Sequence, residues 1–221
     1  MRSELFGENL EAGTGDRFAL QNPRLLRIGL DGDVMARQGS MVAYQGELDF
    51  AYQGSGGVGR FLKKTLTGEG VPLMKVSGRG DLFLADDANE IHLITLEGDS
   101  VTVNGRNVLA FDPALTWDIK RVEGASMMSG GVFNTVFTGT GQVAITAHGT
   151  PVVLTVDAPT FADMQAAVAW SSSLATSVRR TAGAGALIGR GSGEAFQLAF
   201  SGTGFVVVQA SEGRVVPRHS H

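Results

Sequence analysis

The sequence predicts an all-β protein that folds as a single domain from three similar β units, and three observations support this prediction. Glycine supplies 31 of the 221 residues, about twice its usual share, whereas proline supplies only 6. Short runs of β-branched and aromatic residues alternate with Gly, Asp and Asn turns along the chain. One glycine-containing pattern also recurs three times.

Strand-like runs follow one another along the chain, and two stretches depart from them. In order, the runs are LLRIGL, VMARQGSMVAY, ELDFAYQ, LMKVSGRGDLFLAD, EIHLITL, SVTVNG, NVLAF, TWDIKRV, NTVFTG, GQVAITAH, PVVLTV, FQLAFSG and GFVVVQA. GRFLKKTL (59–66) has the apolar spacing of a short amphipathic helix or turn. TFADMQAAVAWSSSLAT (160–176) begins with a Thr160 cap and is predicted to be partly helical, although its AAVAWSSSL portion fits a strand equally well. One or two short helices are therefore expected beside the strands.

The recurring pattern is an apolar residue, Ser or Thr, a G-x-G triplet and an alternating apolar run. Its copies are KVSGRGDLFLAD (75–86), VFTGTGQVAITA (136–147) and AFSGTGFVVVQA (199–210). Their first glycines lie 61 and 63 residues apart, and a second echo, VAY (42–44), LAF (109–111) and VAW (168–170), has nearly the same period. Each G-x-G is expected to bend or bulge a strand, because a residue without Cβ permits positive φ and close backbone approach. The structural glycines predicted in this way are Gly78, Gly80, Gly139, Gly141, Gly202 and Gly204.

A unit of about 60 residues could not bury its apolar face alone, whereas three units packed around a shared axis could. The expected architecture is therefore a β-prism or a set of jelly-roll-like sheets with pseudo-threefold symmetry. We expect this single domain to cover residues 1–215, with residues 216–221 as a C-terminal tail.

Composition argues against several classes of function. The net charge of −4 offers no basic surplus for nucleic acid, and the absence of cysteine removes disulfides, thiol catalysis and Cys-ligated metals. The N-terminal residues are acidic where a signal peptide needs an apolar core, and no apolar run approaches the length of a spanning helix. We expect a soluble cytoplasmic protein with no catalytic residue, no cofactor and no metal site.

GSGGVG (54–59) matches the G-x-G-x-x-G pattern of dinucleotide-binding loops, but its surroundings do not fit such a loop. The helix candidate that follows is barely two turns long, and glycine-rich strand-like sequence comes after it instead of a βαβ unit. With so many glycines, roughly 0.6 matches are expected by chance from composition alone. We interpret the stretch as a structural loop.

The same region carries the candidate interaction surface, in which Phe61 lies among the basic residues Arg60, Lys63 and Lys64. An anionic partner or a peripheral membrane contact would suit such a helix, and a solvated helix that caps the domain is the simpler interpretation. DDANE (86–90) lacks the spacing of a calcium loop and is predicted to be a solvated turn. His148, beside a strand end, has no neighbour at zinc-ligand spacing.

Several stretches resemble the altered inheritance of mitochondria protein 24 family. They are QNPRLLRIGL (21–30), GSMVAYQGELDF (39–50), GVGRFLKKTLTGEG (57–70), VSGRGDLFLA (76–85), VNGRNVLAFDPAL (103–115) and FSGTGFVVVQ (200–209). The resemblance implies a double-stranded β-helix type of fold, like that of the tryptophan RNA-binding attenuation protein, and no established catalytic activity. Eukaryotic members are linked to mitochondrial inner-membrane organisation, whereas bacterial members look like uncharacterised cytoplasmic proteins, sometimes discussed with stress responses. Because no transit peptide is apparent, the bacterial case fits better.

The RNA-binding relative forms a ring of subunits, but its basic and aromatic RNA-contacting positions have no match in this sequence, and fold alone does not transfer function. The leading hypothesis is a non-enzymatic scaffold or protein-interaction protein that binds a protein partner or itself, with no nucleic acid. The alternative is a module that binds a small molecule or lipid, either at the pseudo-threefold axis or under the glycine-rich loop 179–193.

Overall fold

Antiparallel strand pairing organises the chain in a computed structural model, which describes residues 3–13, 15–52, 72–122, 133–180 and 196–211. These ranges contain one short helix, α1 (Leu5–Glu8), and one turn of 3-10 helix (Gly105–Asn107). The strands are β1 (Phe18–Asn22), β2 (Leu25–Arg37), β3 (Met41–Tyr52), β4 (Leu73–Leu84), β5 (Glu90–Asn104), β6 (Val108–Phe111), β7 (Thr116–Arg121), β8 (Phe133–Ala147), β9 (Val152–Val156), β10 (Thr160–Asp163), β11 (Ala167–Ser171), β12 (Ala175–Arg180), β13 (Phe196–Ser201) and β14 (Gly204–Val208).

Eleven of these strands form one sheet in the order β3-β4-β2-β6-β8-β5-β11-β14-β9, with β1 paired to β2 and β7 paired to β8. The remaining three form a smaller sheet in the order β10-β13-β12. Three trios follow one another in the large sheet, and the middle strand of each trio is the last of the three in the chain. The trios meet where β2 pairs with β6 and where β5 pairs with β11.

Period-two alternation builds the long strands, since successive side chains of a strand point to opposite faces. In β2, Leu26, Ile28 and Leu30 are almost completely buried, while the residues between them are only half-buried. β5 and β8 stay in antiparallel register from the Glu90–Ala147 pair to the Asn104–Asn134 pair, with one irregularity near Gly98. Long hairpins of this kind hold residues far apart in sequence side by side.

Three apolar clusters form the core, and aromatic pairs mark two of them. Phe111 and Phe137 pack with their ring centroids 4.9 Å apart, and both are fully buried. Trp170 and Phe200 meet edge to face at 5.3 Å in a second cluster. The third lies between the inner faces of β2 and β4 and includes Leu26. Burial of such large side chains contributes most of the folding free energy.

The predicted all-β class and single domain are confirmed, and the partly helical prediction for residues 160–176 is wrong. That stretch forms β10, a turn, β11 and the start of β12. Asp163 Oδ1 accepts hydrogen bonds from the backbone N–H groups of Gln165 and Ala166 and thereby shapes the turn. β11 is then paired on both sides, with β5 and β14, and this burial overrides the helix propensity of its alanines.

The expected prism or closed β-helix does not appear as such, because the sheet is open. Within the described ranges, its outermost strands, β3 and β9, pair on one side only. The two helical turns of the described residues lie outside the stretches proposed for helices, of which only 160–176 is described. GRFLKKTL (59–66), most of the loop 179–193 and the tail 216–221 lie outside the described residues.

Candidate functional site

The candidate interaction surface of Arg60, Phe61, Lys63 and Lys64 lies outside the described residues, and so does GSGGVG (54–59). The structural glycines are described, and they lie in the middle strand of each trio, except for Gly202, which lies in the bend between β13 and β14. Five of the six have positive φ: Gly78, Gly80, Gly139, Gly141 and Gly202. The exception is Gly204, where a Cβ would instead lie 2.6 Å from the Ser171 hydroxyl.

Two of these glycines also allow the strands to approach closely. A Cβ on Gly78 would lie 2.2 Å from the carbonyl oxygen of Glu47, and a Cβ on Gly80 would lie 2.0 Å from that of Gln45. The pairing of β4 with β2 and β3 continues through these positions without a register shift. The first G-x-G therefore supplies left-handed residues inside an unbroken ladder, and no bulge is needed there.

A polar cavity of about 360 Å³ lies where the three trios come together at the ends of their middle strands. Its lining residues are Asp86, Asp87, Asn89, Arg106, Asn107, Thr146, His148, Gln209 and Ser211. Asp87, His148 and Ser211 are 61 and 63 residues apart, which are the same intervals that separate the repeat glycines. We call this the polar cavity.

One wall of the polar cavity is a chain of hydrogen bonds that begins at a half-buried ion pair. Arg37 donates to Asp86 Oδ2 over 2.8 Å and also holds the carbonyl oxygen of Val108. Asp86 Oδ2 accepts from Thr146 Oγ1 over 2.8 Å and from Asn89 Nδ2 over 3.3 Å. The acidic turn predicted to be solvated is thus tied to the sheet by its first carboxylate.

The chain of hydrogen bonds fixes the orientation of His148. Because the Asn89 amide gives its Nδ2 to Asp86, its Oδ1 faces His148 Nδ1 over 3.1 Å. An amide oxygen only accepts, so His148 Nδ1 carries the hydrogen and Nε2 of the neutral ring is left as an acceptor. The sequence prediction treated His148 as isolated, because its partner lies 59 residues away in the chain.

The opposite wall is formed by Gln209, which follows β14, and by Asn107, which precedes β6. Gln209 Oε1 accepts from the His148 backbone N–H over 2.9 Å, and its Nε2 donates to the carbonyl oxygen of Gln165. Asn107 Nδ2 donates to the Thr146 carbonyl oxygen over 2.7 Å. Asn107 is 5% exposed, and its Oδ1 is buried without a hydrogen-bond partner. A buried acceptor left in this way costs free energy unless something donates to it.

Arg106 supplies the guanidinium among the lining residues. Its Nη1 donates to Gln165 Oε1 over 3.0 Å. Loss of surrounding water lowers the pKa of Arg106, and the carboxylate of Asp163 partly offsets this effect. Arginine remains charged at neutral pH despite such a shift, so the cavity contains one fixed positive charge beside the carboxylates of Asp86 and Asp87.

The open sheet edges form a second surface. In β9 the exposed fractions are 58% for Val152 and 64% for Val153, and the strand sequence VVLTV contains no charge. At the other end of the sheet, Val42 and Tyr44 of β3 are also exposed. β10, the edge of the small sheet, carries the exposed Phe161. β9 is therefore an uncharged apolar edge of the kind that is normally covered in native proteins, whereas β3 also carries the exposed Glu47 and Asp49.

The described residues were also compared with what a membrane-spanning helix and a metal site require. No helix in them is long and apolar enough to cross a membrane. Nowhere in the same ranges do three or more His, Asp or Glu side chains gather as metal ligands would.

Comparison with known proteins gives one family and one fold. The family model for Mitochondrial biogenesis AIM24 matches residues 18–211. A crystal structure of a Streptococcus pyogenes protein is similar, with a TM-score of 0.72 and 24% identity over 88% of this chain and 92% of that chain. At this level of identity the likeness shows the fold alone. None of the curated proteins matches the chain.

Proposed function

We propose that this chain, which belongs to the Mitochondrial biogenesis AIM24 family, is a non-enzymatic β scaffold that associates head to tail with copies of itself. One observation supports the proposal above all: the large sheet ends in two strands that carry exposed apolar side chains and that each pair on one side only within the described residues. A chain that left such edges bare would tend to aggregate, so a partner strand is needed.

The proposal treats the chain as three copies of one three-stranded unit. In each trio the middle strand is the last in sequence, with the first strand on one side and the second on the other. The echoes VAY (42–44), LAF (109–111) and VAW (168–170) occupy the second strand of each trio. In the third copy each long strand is replaced by two short ones, as in β9 with β10 and β13 with β14.

This arrangement is the reason to propose a second copy of the chain as the partner. Each internal junction joins the first strand of one unit to the second strand of the next, as β2 joins β6 and β5 joins β11. Only the junction between the first strand of unit three and the second strand of unit one is left unmade among the described strands. By the position of the repeat glycines, its residues are those around Phe161 in β10 and around Val42 in β3. Pairing β10 of one copy with β3 of another repeats an interface that the chain already makes twice.

The test uses one charge on each side of the proposed interface, Val42→Lys and Phe161→Lys. Light scattering after size exclusion is expected to give an oligomer for the native chain and a monomer for each variant. An equimolar mixture of the variants is expected to give a dimer, because one has an intact β10 edge and the other an intact β3 edge. An isologous interface would not be rescued by mixing.

Leu20→Lys is the matched control, since Leu20 is exposed on β1, which pairs with β2 and with neither edge strand. It should leave the oligomer unchanged. A native chain that stays monomeric at every concentration contradicts the proposal, and so does an oligomer that both edge variants leave intact.

A second function, binding of a small molecule, is favoured by the polar cavity alone. The three middle-strand ends that line it would lie on the pseudo-threefold axis of a three-unit body. Its lining is entirely polar, which favours a polar ligand over a lipid. A thermal-unfolding screen with a panel of polar metabolites tests this function, because a ligand that binds the native state raises the midpoint. We also propose that the protein is bacterial and cytoplasmic and that its fold is related to that of the tryptophan RNA-binding attenuation protein.

A further inference from the structure

We propose that the polar cavity binds a small polyhydroxylated monocarboxylate, a molecule of the sugar-acid class. This inference deepens the small-molecule function above and rests on it. The carboxylate would bind Arg106, and hydroxyl groups would bind His148 and the polar side chains around it.

The first step is a hydrogen-bond acceptor at the cavity. His148 Nε2 is this acceptor, because Nδ1–H is given to Asn89. Asn107 is not open to a ligand, since its Oδ1 is buried away from solvent and its amide hydrogens are engaged by the Thr146 carbonyl oxygen and Gln209 Oε1. A ligand that binds His148 must bring a donor, and a hydroxyl group can donate to nitrogen.

The second step is the single guanidinium. Arg106 uses Nη1 for Gln165, which leaves N–H groups of the planar fork for a carboxylate. The carboxylates of Asp86 and Asp87 lie in the same lining and oppose further negative charge. One carboxylate therefore fits the cavity better than a phosphate dianion or a dicarboxylate.

The third step is size and polarity. A volume of about 360 Å³ lies near the lower end of the range for ligand pockets. The lining includes no aliphatic residue and no Phe, Tyr or Trp, and its polar side chains favour a ligand with hydroxyl groups over a fatty acid. A six-carbon chain with a hydroxyl on most carbons meets these conditions.

The experiment is an NMR titration of the full ¹⁵N-labelled chain with three probes. D-gluconate has both features, sorbitol has the hydroxyls without the charge, and acetate has the charge without the hydroxyls. We expect saturable shifts with gluconate at His148 and in the side-chain amides of Asn89, Asn107 and Gln209. Sorbitol and acetate should bind at least about tenfold more weakly, since each lacks one set of contacts.

Two variants separate the roles, and each removes one exposed side chain of the lining. Arg106→Ala should weaken gluconate about tenfold or more and leave sorbitol unchanged. His148→Ala should weaken both gluconate and sorbitol. Arg79→Ala is the matched control, because it removes the same charge from a position where the arginine and its partner Asp31 are 82% and 80% exposed.

Several results would overturn the assignment: no saturable binding of gluconate, equal affinity for sorbitol or acetate, or an Arg106→Ala variant that binds gluconate as the native chain does. If another polar metabolite shifts the same amides while gluconate does not, the small-molecule function survives and the sugar-acid class is wrong. Light scattering on the same samples is independent of these outcomes, because neither variant touches the β3 or β10 edge.

Discussion

Substitution of Gly80 by alanine tests whether the repeat glycines are required by the backbone, as the sequence pattern predicts. Gly80 has φ of +151° in the middle strand β4, opposite Gly46 of β3. A side chain there is opposed by two effects. The conformation is open almost only to glycine and costs about 1 to 3 kcal/mol for other residues. The new Cβ would also lie 2.0 Å from the backbone oxygen of Gln45, and backbone cannot turn aside as a side chain can.

Overpacking of this kind typically costs about 1 to 3 kcal/mol, so the two effects together predict a loss of about 3 kcal/mol or more. Domains of this size are stable by about 5 to 15 kcal/mol, so the Gly80→Ala chain should fold but unfold at visibly lower denaturant. The midpoint and slope of urea unfolding, followed by tryptophan fluorescence, measure the difference.

Two control glycines separate the two effects. Gly98 has φ of +86°, and a Cβ added there would have no other atom within 4 Å, so Gly98→Ala carries only the conformational cost of about 1 kcal/mol. Gly29 has neither problem, because its Cβ would meet its nearest neighbour, Asp81 Oδ1, at an ordinary 3.7 Å. Gly29→Ala should stay within about 0.5 kcal/mol of the native chain. The expected order of loss is Gly80, Gly98, Gly29, and equal losses at Gly80 and Gly98 would refute the close-approach argument.

Three further substitutions test other parts of the fold. Asn104 is 2% exposed, and its amide donates to two backbone carbonyl oxygens. In urea unfolding at pH 7, Asn104→Ala should cost about 3 kcal/mol, and Asn104→Asp should cost more because it buries an unpaired charge. An equal cost for the two variants would contradict this role. A hydrogen bond from Lys75 lowers the pKa of Asp33, so its stabilisation is present above the ordinary carboxyl pKa and is lost as the pH falls through the lower folded value. Because both groups are largely exposed, Asp33→Asn should cost about 0.5 kcal/mol or less at pH 7, and thermal scans should show the cost vanish in acid. Ala88 has φ of +57°, so Ala88→Gly should stabilise the chain by about 0.5 to 1 kcal/mol, and a loss of stability would mean that the turn is not strained.

Much of the fold could be predicted from the sequence because strands record their environment locally. Alternation in LLRIGL requires one face to be buried, and β2 buries that face. The stretch 160–176 was mispredicted for the opposite reason, since its fate depends on β5 and β14. Neither the alanines nor Thr160 record that these strands will flank Ala167–Ser171. Helix propensity is a weak preference, and burial between two strands outweighs it.

The polar cavity could not be predicted in the same way, because its contacts join residues about 60 positions apart. Asp86 reaches Thr146, and Asn89 reaches His148, only after the strand ends are brought together. Residue types gave little signal, since an acidic turn and a lone histidine are usually solvated. The sequence did contain one indication that these residues occupy equivalent places, because Asp87, His148 and Ser211 have the same spacing as the repeat glycines.

The repeat glycines and the cavity residues with the same spacing differ in how alike they are among the three units. Where the three units share a residue, as at Gly78, Gly139 and Gly202, all three have positive φ, and the backbone explains the choice. Where the units differ, as at Asp87, His148 and Ser211, three different side chains meet in one cavity. Of these three, Asp87 has φ of +49°, a conformation that favours Asp among the residues other than glycine, whereas His148 and Ser211 have no positive φ. A symmetric lining would offer three equal sites, whereas this lining offers one acceptor histidine beside one guanidinium. The titration should therefore saturate at one ligand per chain, and a stoichiometry of three would place binding at the repeated positions instead.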